Sequence, residues 1–110
     1  MKNTIKINRR TVMIEANALV KDGTMPRGQA VRQGYKLARL YAMFAAGALA
    51  TITFIKADGT HRTAQALPAR TGEDLVKGTG RQHPRTNVLY WDCGKQDFRA
   101  FRKERLLTVA

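Results

Sequence analysis

Residues 50–62, Ala50-Thr51-Ile52-Thr53-Phe54-Ile55-Lys56-Ala57-Asp58-Gly59-Thr60-His61-Arg62, change the period of the chain. Before Gly47 the apolar residues recur every three or four positions. From Ala50 they recur every two, with Ala50, Ile52 and Phe54 alternating with Thr51, Thr53 and Ile55 in a β-branched run. Asp58-Gly59 supplies hairpin chemistry, because glycine adopts the positive φ that a tight turn requires. One strand over about 50–55 and a returning strand over about 60–67, ended by Pro68, are therefore expected. Further on, Thr86 to Asp92 reads as a strand, Cys93-Gly94-Lys95-Gln96-Asp97 as a turn and Phe98 to Arg102 as the returning strand. Lys103-Glu104-Arg105 is short enough for a single helical turn, and Leu106 to Val109 forms a short fifth strand. Two strands, a long connection, two strands, one turn and a last strand is the element order of a small SH3-like barrel. Closing a barrel removes most of the sheet edge that invites aggregation.

On the N-terminal side, Asn8 is a suitable N-cap, with Thr11 as a weaker alternative, for a helix whose Val12, Met13, Ala16, Leu19 and Val20 share one face. Lys21-Asp22-Gly23 stops it. Thr24 ahead of Pro26 marks a second start, since proline is tolerated in a first helical turn. Ala30, Val31, Leu37, Ala38, Leu40, Tyr41 and Phe44 then make a broad apolar face, and Arg32, Lys36 and Arg39 line the opposite side. This helix should run to about Ala46, with Gly47 as its stop. The predicted architecture is α+β: a helical pair over residues 1–47 and a five-stranded barrel over 48–110, packed as one compact unit.

The 110 residues carry 20 Lys and Arg against 8 Asp and Glu, a formal net charge of +12, while 44% remain apolar. That apolar fraction suffices for a core and argues against general disorder, so the excess charge must sit on a folded surface. Uncompensated positive charge repels itself in a compact state, which makes a polyanion or an acidic protein surface the expected partner. Both halves of the chain are basic. A membrane span is not expected: the uncharged run from Leu40 to Ile55 falls short of the roughly 18 to 20 residues required. The N-terminal segment lacks an apolar stretch behind its basic start, so a cytoplasmic protein is expected.

Catalytic signals are weak. Cys93, the single cysteine, and the two histidines, His61 and His83, are too few for a structural zinc site, so neither a metal nor another cofactor is expected. Glu73 and Asp74 are adjacent and would point apart in an extended loop, which suits general acid–base work poorly. Gly78-Thr79-Gly80-Arg81 is basic and glycine-rich but lacks the ending and the strand-to-helix context of a phosphate loop. No enzyme activity and no small-molecule substrate are predicted.

Binding signals are stronger. No Asp or Glu occurs between Arg27 and Lys56, so no i,i+4 ion pair can neutralise Arg32, Lys36 and Arg39. The connection over 68–85, longer than the usual roughly 4–6 residues, adds Arg70, Arg81 and Arg85. Tyr90 and Trp91 alternate across their strand, so one faces the core and the other the surface. Either ring, Tyr90 or Trp91, could stack on a base beside Arg62, Arg99 or Arg102.

Thr53 to Arg62, followed after a variable loop by Val88-Leu89-Tyr90-Trp91-Asp92, Phe98-Arg99-Ala100-Phe101-Arg102, Leu106 and Val109, resembles the small WYL-like, Sm-like SH3-barrel family. Gln29 to Leu40 is similar to the second of the two helices that often precede the barrel in that family. The likeness extends over about residues 9–109. It departs at Gly34-Tyr35, where an Ala-Trp pair is usual, and at Gln65-Ala66-Leu67, where Gly-Thr-Leu is common. The resemblance implies a barrel and an origin in a phage or mobile element. Together with the charge, it leads to a non-enzymatic nucleic-acid-binding protein that reads phosphates more than sequence. The alternative is a protein-binding inhibitor or accessory factor of a nucleic-acid enzyme or host defence system.

Overall fold

The computed structural model describes residues 6–68 and 86–110. Helix α1 spans Arg9–Lys21 and α2 spans Arg27–Ala45. Asn8 caps α1 as its sequence predicts, its side-chain oxygen accepting from the amides of Arg10 at 2.9 Å and Thr11 at 3.3 Å. Both helices end alike. Gly23 (φ 75°) and Gly47 (φ 72°) adopt the left-handed conformation, and paired backbone bonds close each last turn, Thr24 N to Leu19 O after α1 and Ala48 N to Met43 O after α2. The start of α2 differs from the sequence expectation. Pro26 itself holds the N-cap position, and the Thr24 hydroxyl turns back to donate to Leu19 O at 3.0 Å, closing α1 instead of opening α2.

Among the described residues the strands are β1 (Ala50–Ile55), β2 (His61–Pro68), β3 (Asn87–Asp92), β4 (Asp97–Arg102) and β5 (Leu106–Val109), with a 3-10 turn at Lys103–Arg105 before β5. They form one antiparallel sheet in the order β4-β3-β2-β1-β5. The sheet curls on itself. Phe54 of β1 and Phe101 of β4 belong to strands that do not pair, yet their rings stack with centroids 5.0 Å apart, and Tyr90 of β3 meets Phe54 edge-on at 6.2 Å. Alternation places Ala50, Ile52 and Phe54 of β1 and Val88 and Tyr90 of β3 inside. The choice left open by the sequence at 88–91 thus falls to Val88 and Tyr90.

Helix α2 lies between α1 and the barrel, and two residues on it read as unremarkable in sequence. Gln33 is buried, and its side-chain amide donates to the carbonyls of Lys103 at 2.7 Å and Leu106 at 2.8 Å, tying α2 to the last strand. Both bonds satisfy backbone acceptors that burial would otherwise leave without water. Gly34 is where α1 and α2 touch: a Cβ there would stand 2.5 Å from the carbonyl oxygen of Val12. Among the described residues no helix is long and apolar enough to cross a membrane.

Candidate nucleic-acid interface

On α2, Arg32 and Arg39 are exposed and Lys36 is half-buried, spread over about 10 Å of helix at 1.5 Å per residue. The opposite side of the helix carries Ala30, Leu37 and Leu40 into the core, so packing fixes which way the cations face. No carboxylate pairs with these three among the described residues. Tyr35, 42% exposed, stands within the same face. Its helical phase marks it as a neighbour of the cations, and the charge pattern alone passes over it.

The barrel residues divide. Arg62 is half-buried, and its guanidinium is ion-paired with Asp92, whose side chain is almost fully enclosed. Burial alone would raise the Asp92 carboxyl. The amide of Lys95, the Arg62 guanidinium and the amide of Gly94 more than offset it and hold the group below the usual carboxylate range. Arg62 is raised in turn, chiefly by its bond to Asp92. Its guanidinium is engaged by that carboxylate and its side chain is 26% exposed, so the fold itself takes up much of the charge that the sequence offers to a phosphate. Arg102 is also paired, its Nε donating to Glu104 Oε2 at 2.5 Å, and Lys103 meets Glu15 of α1 at 2.7 Å. Arg99 is exposed on β4, in register with Tyr90.

Tyr90 has no exposed surface, so it offers no face to a base, and the stacking role suggested for it is corrected on that ground. Among the described residues its hydroxyl is enclosed without a hydrogen-bond partner; burial first, then the Asp92 charge, push it upward. Trp91 turns outward and is half-buried, with Phe98 packed edge-on at 4.9 Å. Strand parity separates the remaining candidates: Arg62 and Arg99 belong to the face that carries the core, whereas Trp91 and Arg102 belong to the outer face. They do not converge on one spot. Arg70, Arg81 and Arg85 lie outside the described residues.

No curated protein and no solved structure matches the chain. A family model does match: WYL_2, described as an Sm-like SH3 beta-barrel fold, aligns with residues 37–107. The match begins inside α2, leaving α1 and the first half of α2 outside it. Among the described residues it takes in β1 to β4 and the start of β5, and the observed strand order suits its description. With more than half of its length matched, the chain belongs to the WYL_2 family of Sm-like SH3 beta-barrel folds.

Proposed function

We propose that the protein binds nucleic acid without chemical catalysis, through phosphate contacts from the outer face of α2. The observation that carries this reading is the row Arg32, Lys36 and Arg39, held outward by core packing and free of acidic partners among the described residues. A net charge of +12 adds a long-range attraction for any polyanion. Tyr35 supplies an aromatic surface beside the cations, suited to stacking when a strand is unpaired. Phosphate contacts release condensed counterions, so affinity should fall steeply with salt, by about one unit of log–log slope per phosphate contacted.

The test is fluorescence anisotropy with labelled duplex and single strand, over a salt series, for the wild type and the triple variant Arg32→Ala, Lys36→Ala, Arg39→Ala. The slope of the triple variant should be shallower by about three, with an unchanged thermal melt. Affinity that is flat in salt, or a slope that survives the triple substitution, rejects the proposal. A stoichiometric protein retained in pull-downs after nuclease treatment would point instead to a protein-binding inhibitor or accessory factor.

A further inference from the structure

A second basic feature lies away from the outer face of α2. A half-open pocket of about 190 Å³ sits where the barrel closes, lined by Phe54, Ile55, Lys56 and Ala57 at the end of β1 and by Asn87, Ala100, Phe101, Arg102 and Arg105. Among the described residues, Lys56, Arg102 and Arg105 surround it and no carboxylate lines it. Two other surface pockets differ: one balances Lys21 and Lys103 with Glu15 and Asp22, and the other has Lys6 as its one charged residue among the described residues.

We propose that this pocket binds a phosphate monoester group, a function separate from backbone contact by α2. Three features support the assignment. The volume is below the roughly 300–1,000 Å³ of sites that enclose a whole small ligand, so it suits one compact group with the rest of the ligand outside. The three cations favour high charge in a small space, and a phosphate monoester carries about −1.5 to −2 at neutral pH, whereas a backbone diester carries one negative charge. The walls are already fixed. Lys103 N donates to Thr86 O at 2.9 Å, the Gln33 amide holds the carbonyls on either side of Arg105, and Lys56 N donates to Thr60 O at 2.7 Å.

Of the neighbouring acids among the described residues, Asp58 is held elsewhere, whereas Glu104 takes up part of the charge of Arg102. Asp58 accepts from the amide and hydroxyl of Thr60, at 3.0 and 2.6 Å. Glu104 takes only the Nε of Arg102, and a guanidinium has four further N–H donors on its two terminal nitrogens. The buried rings of Phe54 and Phe101 beneath the pocket keep water from one side, which strengthens the attraction.

The test is a titration of the isotope-labelled protein, followed by its amide resonances, with inorganic phosphate, a nucleoside 5′-monophosphate and the unphosphorylated nucleoside, against chloride at equal ionic strength. Saturable shifts centred on Lys56, Asn87 and Arg105 are expected for the phosphorylated probes alone. Lys56→Ala, in an exposed hairpin, and Arg105→Ala should each weaken binding about tenfold. Should Arg105→Ala fail to fold, Lys56→Ala carries the measurement. Shifts that never saturate, that chloride reproduces, or that Lys56→Ala leaves unchanged overturn the proposal.

The source of the group is resolved with a short oligonucleotide, 5′-phosphorylated or 5′-hydroxyl, in the α2 triple-variant background. Preference for the phosphorylated strand over the mononucleotide identifies a strand end, and the reverse order identifies a free phosphorylated compound. Binding of both strands equally refutes a monoester site. Because the α2 variant removes the first interface, failure here and failure of the backbone-binding proposal are separable.

Discussion

On α2, Arg32 and Arg39 stand in solvent, and the nearest stretch of sequence holds no acid. In the barrel, Arg62 of β2 meets buried Asp92 of β3. The same residue type therefore has two fates, set by whether the fold brings a carboxylate to it. A paired and desolvated guanidinium holds two strands together, and its removal strands a charge. An unpaired exposed one contributes little to stability and remains available to an external anion.

Arg62→Ala should destabilise the protein by about 3 kcal/mol in a urea melt, because it leaves Asp92 enclosed without its counterion. The cost is at the low end for a buried pair since Arg62 is itself about a quarter exposed. A loss below about 1 kcal/mol would place Arg62 with the solvent-facing cations.

A smaller effect is expected where the two layers of helix touch. Gly34→Ala places a methyl against the Val12 carbonyl, forcing α1 and α2 apart, at a cost of about 2 kcal/mol despite the better helix propensity of alanine. Retained stability would show that the helices can separate without disturbing the core.

Acid should also remove the contribution of the paired site. Asp92 titrates lower in the folded than in the unfolded protein, so its contribution is complete above the unfolded value near 4 and is lost as pH falls through its folded value. Melts from neutral pH downward should show stability lost in acid, and Asp92→Asn should flatten part of that loss. An identical slope in the variant would mean other carboxylates carry it.

The least effect on stability belongs to the outer face of α2, where each of Arg32→Ala, Lys36→Ala and Arg39→Ala should change it by no more than about 0.5 kcal/mol. A larger cost at Lys36, which is half-buried, would reveal that its aliphatic stem packs on the helix surface.

Elements defined by local periodicity were legible in the sequence. The switch from a period of 3.6 to one of 2 after Gly47 marks the boundary between helices and barrel, and Asp58-Gly59 marks the first hairpin. What was not legible depends on partners distant in the chain. Arg62 and Asp92 come together only once β2 pairs with β3 across a long connection, in a register that sets Asp92 opposite Ala66 and leaves the Arg62 side chain to reach it along β2, and neither residue's neighbours announce the pair. The choice between Tyr90 and Trp91 has the same origin, since alternation fixes that one faces inward but not which. Gln33 and Gly34 were hidden for another reason. A glutamine and a glycine read as polar surface or flexibility, whereas one satisfies two backbone carbonyls and the other leaves room for a crossing helix. Thr24 and Pro26 show that a capping residue beside two helix ends can serve either. In the candidate sites, the α2 cations were visible as a spacing, while Lys56, Asn87 and Arg105 converge only when the barrel closes.

The pairing of β1 with β5 has a consequence for how the molecule is made. Ile52 aligns with Val109 and Phe54 with Leu106, so one edge of β1 must wait for a partner half the chain away. During synthesis β1 and β2 can form their hairpin while that edge stays open, because β5 has not yet left the ribosome. Contacts so distant in sequence slow folding, and an unpaired β-branched edge is a template for association with other chains. The last strand is short, yet it completes the partnership of the first.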